Sequence, residues 1–325
     1  MLRPILIVFS LVLASSLVNA QDTANSQVLK LSLPKHHGQL QWRADGFQVI
    51  QTSAKPHGEE IGIRGSDHQG LTYLVFLFLV PGQTTLTSAN CREDALNADR
   101  KGNPSTKISD SSEVARSDGP SIALASYTAK DDSGKTWYSV RAFSAASDIC
   151  GDFQFYAQSP ISIDDPRIKN VLDTLKFDSS YVPQFRDVFL YAQVLYKTEQ
   201  YQAAAPIFEQ ALTMLGDTKE DQTWRRVTTD QAGMAYGISG DISKARDLFN
   251  AAIAKDPDYP MYYYNLACAD AEEHKIADAR LHLQQAFARK ANVIAGESMP
   301  DPTKDDSFTP YRNDKEFWVF LKTLH

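Results

Sequence analysis

The sequence predicts an α+β domain, an antiparallel sheet with two helices, followed by an all-α array of helical hairpins and a capping helix. Three observations predict this. The first half is a series of β-rich runs separated by turn residues. The second half carries small and large apolar residues that recur at offsets of 41 and then 34 residues, which is how stacked structural repeats show themselves. The tail places four apolar residues at helical spacing. At 325 residues the chain has room for two domains, and 43% hydrophobic with 22% charged residues is a globular composition.

The net charge of -7 and the lack of any Lys/Arg cluster argue against a nucleic-acid surface. At the start, Arg3 precedes the uncharged run ILIVFSLVLASSLV, which ends at Val18-Asn19-Ala20. This reads as a secretory signal peptide over residues 1–20, cut after Ala20, so the mature chain is expected to be exported to the periplasm or beyond. No further apolar run is long enough to span a membrane. Of Cys91, Cys150 and Cys268, the first two fall in the same half of the chain and are paired here as a disulfide. Cys268, in an Ala-rich helical context, reads as a small buried residue.

Residues 21–180 form the predicted α+β domain. QVLKLSL, FQVIQTS and EEIGIRG read as strands, and LTYLVFLFLV, apolar almost throughout, as a central strand buried on both faces. SANCREDALNADRK reads as a helix capped by Ser88, followed by a polar stretch, GNPSTKISDSSEVARSDGPS. SIALASYTA, TWYSVRAFSA and CGDFQFYAQ are three more strands. Asp165 before Pro166 starts a last helix, with Ile168, Val171, Leu172 and Leu175 on one face. This order of elements resembles a PsbP-like sandwich. A Cys91–Cys150 bridge would tie the middle helix to a late strand, adding roughly 4 kcal/mol on a loop-entropy basis.

The repeats begin near residue 185. Moving forward by 34 residues takes Gly233 to Ala267, Ala245 to Ala279, Phe249 to Leu283 and Ala252 to Ala286. An upstream copy has Ala192, Leu195, Tyr201, Ala204, Phe208 and Ala211, with 41 residues from Ala204 to Ala245. The added residues, around TKEDQTW, lengthen a helix or a connector. Small residues let the two helices of a hairpin approach closely, the large one four positions after the second-helix alanine fills the wedge, and Pro257 follows a helix end. These spacings resemble those of the tetratricopeptide repeat family, in copies at about 185–218, 226–259 and 260–293. The third copy departs from the pattern at Asp270, where an aromatic is expected, and at Ala291, where a proline is expected.

Residues 291–325 comprise a Pro- and Asp-rich connector, AGESMPDPTKDD, and a capping helix with Phe317, Phe320, Leu321 and Leu324 on one face and Asn313 at its start.

The sequence carries no G-x-S-x-G, H-E-x-x-H, C-x-x-C or glycine-rich phosphate loop, and none of its residues is assigned to catalysis, a cofactor or a metal. The family resemblance implies a concave groove lined by first-helix residues: Phe189, Gln193 and Tyr196, then Met234 and Ile238, then Tyr264 and Cys268. Such a groove takes a protein or peptide partner. The Lys, Asn and Arg of a carboxylate clamp are replaced by Phe189, Gln193 and Met261, so a chaperone-tail clamp is not expected. The leading expectation is a non-catalytic interaction scaffold. Its rival makes the N-terminal domain a small-ligand binder or hydrolase, which requires His57, His68 and Glu59 to converge on a pocket. An apolar end face on so short an array also leaves self-association open.

Overall fold

A computed structural model of the chain describes residues 28–83, 85–117 and 119–324. The leader expected over residues 1–20 lies outside them. The chain divides between Thr198 and Glu199 into two compact units. The division at 180/181 drawn from the sequence differs from this by a single helix.

The first unit contains two antiparallel sheets. Strands β1 (Val28–Ser32), β2 (Gln39–Arg43) and β10 (Lys176–Asp178) form the smaller, in the order β1-β2-β10. The larger has the order β3-β4-β5-β9-β8-β7-β6, where β3 is Gln48–Ala54, β4 Glu60–Ser66, β5 Thr72–Leu79, β6 Lys107–Val114, β7 Ile122–Lys130, β8 Thr136–Ala146 and β9 Ile149–Ala157. Strand β9 is buried along most of its length because both of its faces are covered. Phe153 packs edge-on against Trp42 of the small sheet, with ring centroids 5.2 Å apart. On the opposite face Cys150 joins a cluster with Leu86, Cys91, Phe143 and Ala145 beneath helix α1 (Ser88–Gly102). The disulfide expected between Cys91 and Cys150 is present, its Cα atoms 6.2 Å apart, and it links α1 to β9.

Several local readings change. β5 alternates buried and half-buried residues, so one of its faces is only partly covered. The cap of α1 is Thr87, one residue before Ser88; its hydroxyl accepts from the Asn90 amide, and Asn90 reciprocates. The polar stretch after α1 contains β6, an edge strand whose largely exposed Lys107, Asp110 and Glu113 suit a sheet margin. Its solvated composition masks the strand period. In β4, Gly62 and Gly65 stand opposite Phe76 and Tyr73, and a Cβ at Gly65 would lie 2.3 Å from the Tyr73 ring. The glycines therefore make room for rings on the neighbouring strand. Helix α2 (Pro166–Thr174) starts as expected, with Asp165 accepting from the Arg167 amide. Helix α3 (Phe185–Lys197) packs against β1 and β3, and its Tyr191 hydroxyl lies 2.6 Å from the Lys55 carbonyl oxygen and 2.7 Å from that of Glu60.

The second unit holds α4 (Tyr201–Leu212), α5 (Lys219–Ile238), α6 (Ile242–Lys255), α7 (Pro260–Glu272), α8 (Ile276–Ala288) and α9 (Lys315–Leu321). Sequential neighbours from α4 to α8 pack on one another as a helical array. The residues added near TKEDQTW extend the start of α5, which runs for 20 residues behind a reciprocal cap between Thr218 and Asp221. The turns repeat at the sequence offsets. Glu199, Gly240 and His274 each adopt a left-handed backbone, with φ of 62°, 92° and 61°. The Asp241 amide bonds the Tyr236 carbonyl and that of Lys275 bonds Asp270, the six-to-one closure of a helix C-terminus. The cap of α9 is Asp314, which accepts from the Phe317 amide, rather than Asn313.

Close approach within the α5–α6 hairpin is tight. A Cβ at Gly233 would lie 2.2 Å from the Phe249 ring. One repeat later the corresponding pair is Ala267 and Leu283, the larger small residue facing the smaller large one. Gly233→Ala is therefore expected to lower stability by about 1–3 kcal/mol from overpacking, against a helix-propensity gain of up to about 1 kcal/mol. Gly233→Ala with Phe249→Leu should regain most of it. Thermal unfolding of the three chains decides; an unchanged midpoint for the single substitution would mean that Phe249 has room to move.

Candidate functional site

Helix α7 opens with proline at its first position and carries three consecutive tyrosines. Successive side chains on a helix point about 100° apart, so each ring finds a different neighbour. Tyr262 packs against Phe249 and, edge-on at 4.8 Å, Tyr259. Tyr263 donates to the Pro257 carbonyl at 2.9 Å, with the Arg289 guanidinium over its ring. Tyr264 faces the segment after α8. The helix is consequently buried nearly all round.

That segment, read from sequence as a connector, runs alongside α7. Glu297 accepts from the Tyr259 hydroxyl at 2.8 Å. Farther along, Asp305 Oδ2 accepts from the Tyr264 hydroxyl at 2.9 Å and lies 3.9 Å from Cys268 Sγ, while its Oδ1 accepts from the Ser307 amide. Phe308 is fully buried, edge-on to Tyr264 with centroids 6.1 Å apart. Tyr311 donates to the Ala271 carbonyl at 2.6 Å, near His274 at the end of α7.

The expected groove residues thus have different surroundings. Tyr264 is completely buried, and Cys268 shares its partner Asp305. The accessible role expected of Tyr264 is not available while residues 305–308 are in place, because a tethered aromatic and carboxylate of the same chain already satisfy its ring and hydroxyl. Met234 and Ile238 are half-buried on α5. Phe189 and Gln193 are buried on α3 and Tyr196 is half-buried. Met261 is buried.

One participant is absent from the sequence-derived set. The offsets that lead from Phe189 by 41 and then 34 residues pass through Asp230 before reaching Tyr264. Asp230 is buried on α5 and accepts from the Asn265 side chain of α7. Burial, reinforced by the charge of Glu297, pushes its carboxyl up to about 8. Burial also raises Glu297, Cys268 and the Tyr264 and Tyr259 hydroxyls. The repeat offset marks this position, but its polar side chain departs from the aromatic ones at Phe189 and Tyr264.

Asp270, which stands where the repeat pattern expects an aromatic, is buried, ion-paired with Arg246 of α6 at 2.8 Å and within hydrogen-bond distance of His282 Nδ1 of α8, at 2.5 Å. A polar cross-link takes the place of an aromatic wedge.

The groups named for a ligand or hydrolase site do not converge. His57 and Glu59 precede β4 and His68 follows it, so the strand's length, roughly 20 Å, separates them. His36 lies 3.5 Å from Asp148. An open depression of about 570 Å³ in the first unit is lined by residues including Pro120, Ala146 and Phe177, and by neither histidine. Among the described residues no group of three or more His, Cys, Asp or Glu is placed to hold a metal, and no helix is long and apolar enough to cross a membrane.

No protein-family model and no curated protein matches the chain. Solved structures with partial likeness include tetratricopeptide proteins and a PsbP. The Sgt2 TPR domain from Aspergillus fumigatus is 18% identical, with 44% of this chain and 79% of that one covered at a TM-score of 0.31. YrrB, described as a TPR protein with an unusual peptide-binding site, is 23% identical over 34% of this chain and 54% of its own, at 0.29. Cyanobacterial PsbP from Synechocystis sp. PCC 6803 is 9% identical over 48% and 95%, at 0.35.

Proposed function

We propose that the protein is an exported, non-catalytic interaction scaffold. Its three tetratricopeptide repeats bind a protein or peptide partner through first-helix residues, and the sheet-containing unit supplies a second surface. The observation that carries this reading is the recurrence of both chemistry and backbone at the same two offsets, 41 and then 34 residues: small and large residues at the hairpin contacts, and left-handed turns at Glu199, Gly240 and His274. A stack of such hairpins presents an extended surface rather than an enclosed reaction site. The Cys91–Cys150 bridge supports an oxidising destination.

Met234 and Ile238 are the half-buried apolar members of the proposed surface. Immobilised residues 21–325 should enrich a specific partner from an exported-protein fraction, identified by mass spectrometry. Met234→Glu with Ile238→Glu should abolish that enrichment while leaving the helical circular dichroism intact. A partner retained equally by both forms would move the interaction away from α5.

A further inference from the structure

The segment along α7 is built as a peptide ligand is built. Pro302, Asp305, Ser307 and Phe308 are buried, whereas Asp301, Lys304, Asp306 and Pro310 are exposed. Apart from one helical turn at Thr309–Tyr311, residues 294–311 lack regular structure. Their backbone hydrogen bonds are local turns, from the Lys304 amide to the Asp301 carbonyl and from the Phe308 and Thr309 amides to that of Asp305. The segment is therefore anchored mainly by side chains, and two of them read α7 chemically. Asp305 faces the Tyr264 hydroxyl and the Cys268 thiol, two donors one turn apart, and Phe308 sets its ring edge-on to Tyr264.

We propose that this face of α7 takes a peptide turn in which an acidic residue stands three positions before an aromatic one, and that Asp305–Phe308 of the same chain, whose Phe308 and Thr309 amides close such a turn on the Asp305 carbonyl, is the resident occupant such a partner displaces. This rests on the scaffold reading and specifies its partner. The turn's spacing puts the carboxylate on the hydroxyl–thiol pair while the ring covers Tyr264; a basic residue in place of the acid would forgo both bonds, because an ammonium group has no lone pair with which to accept from them. Because the occupant is tethered through the connector after α8, its effective concentration is of millimolar order, and a free peptide competes poorly with it. The partner's access is thus set by how firmly Asp305 and Phe308 hold.

The test uses a fluorescent synthetic peptide with the sequence of residues 300–312, titrated by anisotropy against residues 21–325. Phe308→Ala and Asp305→Ala, made separately in the protein, weaken the resident occupant. Each is expected to bind the peptide at least about tenfold more tightly than the wild type does. A peptide in which Asp305 is replaced by lysine should not bind, and adding Tyr264→Phe to the Phe308→Ala protein should weaken binding. If Phe308→Ala loses its helical circular dichroism, Asp305→Ala, which removes contacts to two donors and one amide without opening the aromatic core, carries the test. Lack of peptide binding by folded variants overturns the proposal, as does dimerisation of the variants without peptide binding. The Met234 and Ile238 capture experiment reads the scaffold independently. Peptide failure beside successful capture sinks this inference alone.

Discussion

Asp230→Asn is expected to stabilise the helical unit at pH 8.5 and to flatten its pH dependence. Asp230 is buried; it accepts from Asn265, the carboxyl of Glu297 acts on it, and it acts in turn on the hydroxyls of Tyr259 and Tyr262 and the thiol of Cys268. Burial, aided by Glu297, raises its folded-state value from the ordinary 3.8 to about 8. The folded chain therefore holds a proton that the unfolded chain has released between those two values. The stabilising contribution of the protonated form is complete below about pH 4 and is lost progressively as pH rises to about 8. The whole loss is on the order of 6 kcal/mol at most, since one pKa unit corresponds to about 1.4 kcal/mol. Asparagine keeps an acceptor for Asn265 and has no proton to lose. Hydrogen exchange of α5 and α7 amides from pH 5.5 to 8.5 should show protection falling in the wild type and nearly constant in the variant. Parallel profiles would exclude Asp230 as the titrating group.

Arg141→Met is expected to cost about 3–5 kcal/mol in the first unit, because it removes the cation from between two carboxylates. Arg141 of β8 and Asp152 of β9 are diagonal neighbours on the face toward α1, with Nε 3.1 Å from Oδ1 and a second, shorter contact between Nη2 and Oδ2. Nη1 also reaches Asp99 of α1 at 2.5 Å. Burial works to lower the guanidinium's affinity for its proton, but Asp152, together with Tyr127 and Asp99, outweighs it and the net shift is upward. Arg141→Met with Asp152→Leu should recover most of the loss, since exchanging a buried ion pair for apolar packing is often near neutral. The sheet's thermal unfolding transition is the readout. Equal destabilisation by the single and double substitutions would show that packing over Phe143, and not the uncompensated charge, dominates.

These two sites differ in how far the sequence announces them. Asp230 lies on the repeat's own arithmetic, between Phe189 and Tyr264, and was accessible by strict use of the offset. Arg141 and Asp152 lie in strands that are legible, but their pairing depends on the register between β8 and β9, which the two-residue turn at Ser147–Asp148 sets and neither strand's own pattern shows. The polar β6 shows a related limit. An edge strand with charged residues along it has the composition of a loop, and its partner β7 supplies the evidence that it is a strand.

The sequence by itself determined the order of the main strands, the hairpin array and the close approach at Gly233; it suggested the pairing of Cys91 with Cys150, which the 6.2 Å between their Cα atoms decides. Period-two alternation, the 34-residue offset and helix-start residues are local or repeated signals, and the forces behind them act between residues at predictable spacing. Only the tertiary structure decided that α3 packs on the sheet, that His57 and His68 sit at opposite ends of β4, and that residues 301–311 lie on α7. The last depends on a hydroxyl, a carboxylate and two rings meeting across about 40 positions of chain. Nothing periodic marks such a contact, because it arises from the complementarity of surfaces that folding brings together.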